Sequence, residues 1–224
     1  MEGMFILNGK LIVIEGLDGC GKSTQLELLQ EKLGKKAKFI SFPNYESASG
    51  SIVKDYLSGK FNESDAMTGC FTASSFYAVD RYTSYKDFWE QDYKNGENII
   101  AARYTTSNAI YQMAKLEKDK WDEYLDWLWD FEYNKFSIPK PDKVIFLDMP
   151  IEISQKLLSK RYDGDESKKD IHEKNIDFLT RCRQTALYTA QYDKWDIVSC
   201  AQGDKIRTIE EINKELNEII NSVF

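Results

Sequence analysis

The sequence feature that most constrains the fold is a glycine-rich loop near the beginning of the chain. The stretch LIVIEGLDGCGKST runs from Leu11 to Thr24. Its aliphatic start predicts a short buried strand. The residues that follow, Ser23–Leu33, carry leucines at helical spacing, and Gly34 is a natural end for that helix. A strand that passes through such a loop directly into a helix is typical of α/β proteins.

The glycines, the lysine and the hydroxyl of this loop have the spacing of a phosphate-binding motif. The pattern G-x-x-x-x-G-K-[ST] is matched by Gly16, Gly21, Lys22 and Ser23. Glycines let several backbone N–H groups point at one place, and the helix N-terminus adds positive potential there. Lys22 brings a full charge to the β- and γ-phosphates, and the Ser23 hydroxyl is a ligand for Mg²⁺. The loop therefore predicts that the protein binds a nucleoside triphosphate with its Mg²⁺.

Further short apolar runs predict the other strands of a sheet. They are Lys38–Phe42, Asn98–Ala102, Val144–Leu147 and Ile197–Cys200. After the last of them, Thr208 and Glu211 form a predicted capping box for a C-terminal amphipathic helix. Strands separated by helices favour a parallel sheet that is covered on both faces. Because there is no repeat and no Gly/Ser-rich linker, we expect a single α/β domain over residues 1–224.

Composition and charge exclude several classes of function. The 224 residues include 37 acidic and 30 basic side chains, which gives a formal charge of −7. Such a chain repels a phosphate backbone, so we expect no nucleic-acid partner. The four cysteines lack C-x-x-C spacing and there is one histidine, which argues against zinc and for a reducing compartment. We see no signal peptide and no run approaching about 18 apolar residues, so we expect a cytoplasmic protein without a membrane partner.

Three other stretches are suited to a second ligand beside the triphosphate. FPNY (42–45) and ARYTTSNAIYQ (102–112) lie at the ends of predicted strands, where parallel sheets bind ligands, and FYAVDRY (76–82) lies between them. Arg81 and Arg103 are candidates to grip an acceptor phosphate, although an arginine beside tyrosines is often part of a surface salt bridge. A guanine-reading N-K-x-D pattern is missing, because the sequence NKFS has serine at the aspartate position. A kinase with a phosphorylated acceptor is therefore the favoured reading.

The stretches EGLDGCGKST, FPNY, YAVDR and RYTTSNAIYQ, in this order and spacing, resemble the thymidylate kinase family of P-loop nucleoside monophosphate kinases. The resemblance extends from about Lys10 to the last predicted strand. It implies a three-layer P-loop kinase fold with a five-stranded parallel sheet flanked by helices. It also implies transfer of the γ-phosphoryl group of ATP to dTMP, giving dTDP and ADP, with Mg²⁺ as cofactor and usually in a homodimer.

Carried over position by position, the resemblance assigns the ATP site to the glycine-rich loop and one distant arginine. The implied ATP-binding residues are Gly16, Asp18, Gly19, Cys20, Gly21, Lys22, Ser23, Thr24 and Arg161. Arg161 resembles the family's arginine that lies over adenine, and it opens a polar stretch that we expect to form a mobile lid at about residues 160–174. Because Gly19 leaves the loop without an arginine, Lys168 or Lys169 of this lid would supply the catalytic cation. The alternative is a solvated run of charges.

The acceptor phosphate and sugar are assigned to a second group of residues. The resemblance implies that Arg103 binds the phosphate at the point of transfer, with Pro43 and Tyr45 bordering it. Asp18 would meet the 3′-hydroxyl of the sugar, and Tyr111 would crowd the 2′ position and disfavour ribonucleotides. From its chemistry alone, Asp18 could equally hold a Mg²⁺-bound water or be a simple loop residue.

The thymine base is assigned to a third group. Tyr77 would stack on the base, and Phe76 is the alternative one position away. Arg81 would reach the O4 atom of thymine, and Asn108 would read the N3/O4 edge, with Ser107 beside it as a further substrate contact. An aromatic residue in this stretch is otherwise a core residue.

Ala102 is the main departure from the family pattern, which has Asp-Arg-Tyr or Asp-Arg-His where this chain has Ala-Arg-Tyr. The missing carboxylate acts at the Mg²⁺ and phosphate end of the site. The chain is then a slow or specialised kinase, an engineered or drifted one, or one in which Asp18 or Glu15 replaces that carboxylate. The rival functions are another nucleotide or deoxynucleoside kinase, with Glu15 as a base, and a nucleotide-binding pseudokinase.

Overall fold

The centre of the structure is a parallel five-stranded sheet, seen in a computed structural model that describes residues 8–61, 66–161 and 175–224. The strand order across the sheet is β2–β3–β1–β4–β5. In chain order, β1 to β5 span Leu11–Gly16, Lys38–Ser41, Ile99–Ala102, Lys143–Asp148 and Asp196–Ser199. Two short strands, β6 (Ala201–Gln202) and β7 (Lys205–Ile206), form a separate antiparallel ribbon. The predicted α/β fold with five parallel strands is confirmed.

Helices cover both faces of this sheet. From α1 to α9 they span Lys22–Leu33, Ala48–Leu57, Ala66–Ser84, Glu90–Lys94, Thr105–Tyr111, Trp121–Trp129, Ile151–Arg161, Ile176–Tyr192 and Ile209–Asn221. A π-helical segment, Tyr85–Trp89, follows α3, and a second one, Asp130–Lys135, follows α6. The predicted capping box of α9 is present, because Thr208 and Glu211 each accept a hydrogen bond from the other's backbone N–H. In the described helices, apolar content and length together fall short of what a bilayer-spanning segment requires.

The central strand β1 is buried along its whole length because both of its faces are covered. Successive side chains of a strand point to opposite faces, so β1 supplies two cores. On one face, Val13 packs in a cluster with residues of α5 and α8, such as Leu179. On the other face, Ile14 packs with Leu29 of α1 and Leu216 of α9. Helix α1, which follows the glycine-rich loop, and the C-terminal helix α9 thus lie on the same face of the sheet.

Parallel pairing brings the carboxyl ends of β1, β2 and β3 to one edge of the sheet. Ile14 in β1 lies opposite Ala102 in β3, and Ala102 lies opposite Ser41 in β2. The glycine-rich loop, the FPNY loop and the segment after β3 all begin at these ends. The three motifs that lie far apart in the sequence therefore converge, as expected for ligand sites in parallel sheets.

The aromatic-rich stretch 121–136 contributes one buried face to the core. Tyr124 and Leu128 of α6 are fully buried in a cluster with Cys70 of α3 and Met113. The π-helical segment that follows α6 carries Glu132 into the interior, where its side chain has no exposed surface. A carboxylate at this depth needs partners, because burying a charge without compensation is costly.

Candidate active site

The glycine-rich loop closes tightly between β1 and α1. Gly19 and Gly21 have φ angles of 77° and 84°, in the left-handed region where side chains are strained. A Cβ atom on Gly19 would lie 2.8 Å from the carbonyl oxygen of Ser154, so the loop also approaches α7 closely. Lys22 Nζ donates a hydrogen bond of 3.1 Å to the carbonyl oxygen of Gly16, which folds the lysine back over the loop.

Lys22 is held where burial disfavours its charged form. Burial lowers the pKa of Lys22 below its ordinary value, and the nearby charge of Arg103 lowers it further, while Asp18 and Glu15 act in the opposite direction. A phosphate group bound beside Lys22 would favour the charged ammonium and so oppose the effect of burial. The loop is therefore suited to binding an anionic ligand.

The first cavity at this edge, the loop cavity, has a volume of about 500 Å³. The predicted loop residues from Asp18 to Thr24 line it, and Gly16 contributes the carbonyl oxygen that binds Lys22. Its other walls come from later parts of the chain, mainly Met149, Leu157, Leu158, Ile206, Arg207 and Ile209. The apolar part of these walls was not predicted, because Met149, Ile206 and the residues of α7 and α9 that form it carry no motif. The combination of an anion-binding loop with apolar walls suits a nucleotide with a flat base.

The second cavity, the tyrosine cavity, has a volume of about 160 Å³. Most of the predicted acceptor residues line it, namely Asp18, Pro43, Tyr45, Tyr77, Arg103, Ser107, Asn108 and Tyr111. Leu57 and Gln112 complete the lining and were not predicted. The peptide bond between Phe42 and Pro43 is cis. Residues from four separate motifs are thus brought together around one small cavity.

The third cavity, the Ala102 cavity, lies between α1 and the ends of β2 and β3 and has a volume of about 470 Å³. Ala102 lines it together with Lys22, Ser23 and Arg103. The small side chain of Ala102 therefore faces the region where the phosphate loop presents its hydroxyl. Asp18 lines this cavity as well as the other two, so the three cavities meet at one carboxylate.

Asp18, Arg103 and Tyr111 form a bonded cluster at this meeting point. Arg103 Nη2 donates to Asp18 Oδ1 at 2.5 Å, and the Tyr111 hydroxyl donates to Asp18 Oδ2 at 3.2 Å. The Arg103 guanidinium lies 5.1 Å from the centre of the Tyr111 ring, a distance typical of a cation–π contact. Burial alone would lower the pKa of Arg103, but Tyr111 and Asp18 reverse this and raise it well above the ordinary arginine value. Arg103 is therefore a permanent cation.

The backbone at Arg103 is strained. Its φ angle of 63° lies in the left-handed region, which is uncommon for a residue with a side chain. The Arg103 N–H donates to the carbonyl oxygen of Ile14 at 3.2 Å, in the last part of β1. Strain of this kind persists where the surrounding structure determines it and is frequent at functional sites.

Glu15 does not take the place of the missing family carboxylate as a group facing the ligands. Its side chain is fully buried and lines none of the three cavities. Oε1 accepts hydrogen bonds from Tyr104 N at 3.2 Å, Thr106 Oγ1 at 2.7 Å and Ser107 Oγ at 2.8 Å. Glu15 thus fixes the segment after β3, and this geometry does not favour the interpretation of Glu15 as a base for a hydroxyl acceptor.

Arg81 and Phe76 also lie away from the tyrosine cavity. Arg81 is 2% exposed, and its guanidinium donates to both carboxylate oxygens of Glu132 and to the carbonyl oxygen of Tyr104. In this structure the guanidinium of Arg81 is enclosed and paired, so its suggested contacts with an acceptor phosphate or with thymine O4 stay predictions. Phe76 packs against the ring of Phe61 instead, so Tyr77 is the aromatic residue of this pair that lines the cavity.

The predicted lid lies mostly outside the described residues. Lys168 and Lys169 fall in the range 162–174, which the structure does not describe. Arg161 is the last residue of α7, and its side chain is likewise outside the description. Their suggested roles at the phosphates and at adenine stay predictions.

Comparison with known proteins agrees with this architecture. The family model described as thymidylate kinase matches residues 14–213. The chain is 28% identical to the thymidylate kinase of Dictyostelium discoideum over 228 aligned positions, covering 100% of this chain and 90% of that protein. It is 29% identical to the thymidylate kinase of Schizosaccharomyces pombe, covering 85% of this chain and 92% of that protein.

A solved structure gives the same result for the fold. The thymidylate kinase of Candida albicans, described as having broad substrate specificity, superposes with a TM-score of 0.71 at 28% identity. The match covers 96% of this chain and 92% of that one. The family match over nearly the whole chain, the shared sheet and the convergence of the phosphate loop with the segment after β3 have one explanation: this chain belongs to the thymidylate kinase family.

Proposed function

We propose that the protein transfers the γ-phosphoryl group of ATP to dTMP, giving dTDP and ADP. The observation that carries this proposal is the position of the Asp18–Arg103 pair. Asp18 lines both the loop cavity and the tyrosine cavity, and Arg103, which is bound to it, lines the tyrosine cavity. Two phosphorylated ligands in these neighbouring cavities would meet with their anionic ends at this pair. Membership of the thymidylate kinase family supports the identity of both ligands.

The arrangement of charges suits phosphoryl transfer, which requires alignment and charge neutralisation more than covalent chemistry from the protein. Lys22 would neutralise the ATP phosphates, and Arg103 would hold the acceptor phosphate for attack. A phosphate oxygen is already ionised near neutral pH, so the acceptor needs no general base. The enclosure of Glu15, the carboxylate suggested as such a base, is consistent with this mechanism.

The lining of the tyrosine cavity suits a deoxynucleoside monophosphate. Tyr77 would stack on the base, and Asn108 would form hydrogen bonds with its edge. Tyr111, held by Asp18 at 3.2 Å, would occupy the space that a 2′-hydroxyl needs. Pro43 and Tyr45 would border the phosphate end of the acceptor.

The donor set at the loop fits Mg²⁺. Mg²⁺ in nucleotide sites keeps several waters and takes few protein ligands besides phosphates. Among the described residues, no group of three or more His, Cys, Asp or Glu side chains comes together, so a metal cage made wholly of protein is not formed there. The hydroxyl of Ser23 would bind the ion, and Asp18 would lie close enough to hold its waters. When bound, Mg²⁺ would neutralise phosphate charge.

A coupled assay of ADP release across dTMP, dUMP, dCMP and thymidine tests the proposal. We expect dTMP-dependent ADP release that requires Mg²⁺, with dTDP as product by chromatography. Release with thymidine but not with dTMP would indicate a nucleoside kinase and overturn the proposal. Binding of ATP and dTMP by calorimetry without dTDP formation would indicate the pseudokinase.

We also propose that the protein is a homodimer in the cytoplasm. Large apolar side chains on α2 and α3 remain about two-fifths exposed, at 38% for Ile52, 37% for Val79 and 40% for Tyr82, which supports a covered face. Sedimentation equilibrium tests the dimer, and a monomer at micromolar concentration would contradict it. Cell fractionation tests the location.

A further inference from the structure

Glu132 is a buried carboxylate that connects two residues assigned to the thymine base. It lies in the π-helical segment after α6 and is fully buried. Its Oε2 accepts from Arg81 Nε at 2.6 Å, and its Oε1 accepts from Arg81 Nη2 at 2.5 Å and from Asn108 Nδ2 at 3.4 Å. Glu132 itself does not line the tyrosine cavity, whereas Asn108 does.

The partners of Asn108 decide which end of its amide faces the cavity. Nδ2 donates to the carbonyl oxygen of Ser74 at 3.3 Å and to Glu132 Oε1 at 3.4 Å. Both partners are acceptors without a proton to donate, so only the NH₂ end of the amide fits against them. The amide oxygen of Asn108 is therefore left for the opposite side, where the residue borders the cavity.

The bidentate contact with Arg81 favours the acceptor form of Glu132 that this orientation needs. Burial raises the pKa of Glu132 above the ordinary glutamate value, and the charge and hydrogen bonds of Arg81 oppose that shift. Burial would lower the pKa of Arg81, but the charge of Glu132 raises it above the ordinary value, so the arginine stays protonated. The bidentate contact neutralises the carboxylate in place and fixes its plane. Arg81 Nη1 also donates to the carbonyl oxygen of Tyr104 at 3.2 Å, which attaches the pair to the segment after Arg103.

We propose that Glu132 is a positioning residue for base selection, acting through Asn108. An amide oxygen at the cavity accepts a hydrogen bond and so favours a base with a ring N–H, such as thymine or uracil. Cytosine carries an unprotonated ring nitrogen at that position and would leave two acceptors facing each other, which is unfavourable. The proposal rests on the proposed function, because it names the base that the same acceptor site selects.

The Glu132→Gln variant tests this positioning role, with turnover and equilibrium binding measured for dTMP and dCMP. Glutamine has the same shape but carries one NH₂ group, which must face a donor of either Arg81 or Asn108. We expect the ratio of kcat/KM for dTMP over dCMP to fall at least about tenfold, together with the ratio of their binding constants. The KM for ATP should stay unchanged, because Glu132 does not line the loop cavity.

The matched control is Glu123→Gln on α6, an exposed glutamate that pairs with Lys120 at 3.2 Å. It should leave the dTMP/dCMP ratio unchanged. The double variant with Asn108→Leu separates positioning from folding. If Glu132 acts through Asn108, then Glu132→Gln should not change the dTMP/dCMP ratio further in a protein that already carries Asn108→Leu. An independent structural effect of Glu132→Gln would lower that ratio further in the double variant.

A folded Glu132→Gln protein with an unchanged dTMP/dCMP ratio overturns the proposal. If that variant does not fold, the double substitution Arg81→Met with Glu132→Met replaces the pair by apolar side chains and is measured instead. An unchanged ratio there, or failure of both variants to fold, makes the pair a core element only and also overturns the proposal. If the wild-type protein binds dTMP but forms no dTDP, the proposed function fails, while the binding ratio still tests Glu132.

Discussion

Gly50 offers a test of how closely the acceptor loop is fitted to α2. A Cβ atom at this position would lie 1.9 Å from the carbonyl oxygen of Asn44 and 2.9 Å from the Cα of Tyr45. Cβ contacts under 3.0 Å essentially never occur, so Gly50→Ala must push the backbone of Asn44 away by more than about 1 Å. That carbonyl accepts hydrogen bonds from Ser47 N at 3.1 Å and Ser47 Oγ at 2.7 Å, which would be disturbed as well.

The sign of the stability change distinguishes this contact from ordinary helix propensity. Gly50 lies inside α2, where glycine to alanine normally stabilises by about 0.5–1 kcal/mol. Forcing an extra methyl group into a filled space typically costs about 1–3 kcal/mol, so we expect a net loss of stability. Pro43 and Tyr45 of the displaced loop line the tyrosine cavity, and a 1 Å misplacement at a reacting site lowers turnover by about 10²-fold.

The assays are ADP release with varied dTMP or ATP, and thermal unfolding. We expect Gly50→Ala to lower kcat/KM for dTMP by about 10²-fold, with little change in the KM for ATP. Ser51→Ala on the same helix is the control, because Ser51 is exposed and its hydroxyl contacts only the carbonyl oxygen of Ala48. A Gly50→Ala protein that is more stable than wild type and binds dTMP normally would refute the reasoning.

Three further predictions concern the charged end of the site. Arg103→Ala should lower turnover by about 10²–10³-fold while ATP binding, measured by calorimetry, survives; an unchanged rate would remove Arg103 from the mechanism. Ala102→Asp adds a carboxylate to the cavity that holds Lys22 and Ser23, so the Mg²⁺ concentration for half-maximal activity should fall, and an unaltered Mg²⁺ titration would contradict this. Burial lowers the pKa of Lys22, so as the pH rises ATP affinity should begin to weaken at a pH below the usual lysine pKa. The Lys22→Arg variant keeps its charge, so its ATP affinity should not weaken there. Parallel pH profiles of ATP dissociation constants for the two proteins would disprove that dependence.

Local patterns were sufficient to predict the sheet. Each predicted strand overlaps an observed one, and β1 extends to Gly16, two residues beyond the aliphatic run Leu11–Ile14 that predicted it. The helix after the loop begins at Lys22, one residue before the predicted start at Ser23. It is followed by Gly34, whose φ angle of 52° lies in the region that favours glycine. These elements depend on apolar periodicity and on glycine conformation, which neighbouring residues determine.

The site was predictable where a motif marks it. Tyr77, Ser107, Asn108 and Tyr111 carry the family pattern and line one cavity in the structure. The partner of Arg81 was not predictable, because an arginine in a polar motif looks the same in sequence whether its partner is a ligand phosphate or a buried carboxylate. That partner, Glu132, is 51 positions away in a stretch that carries no motif.

The sequence by itself determined the phosphate loop, the parallel sheet and the order of the motifs along the chain, because each depends on residues within one strand, turn or helix. Only the tertiary structure decided that Asp18 borders three cavities, that Arg81 and Asn108 share Glu132, and that Glu15 faces inward to the segment after β3. Those relations depend on which side chains meet across packed elements. Such contacts join positions separated by 24 to 92 residues, and no local pattern encodes them.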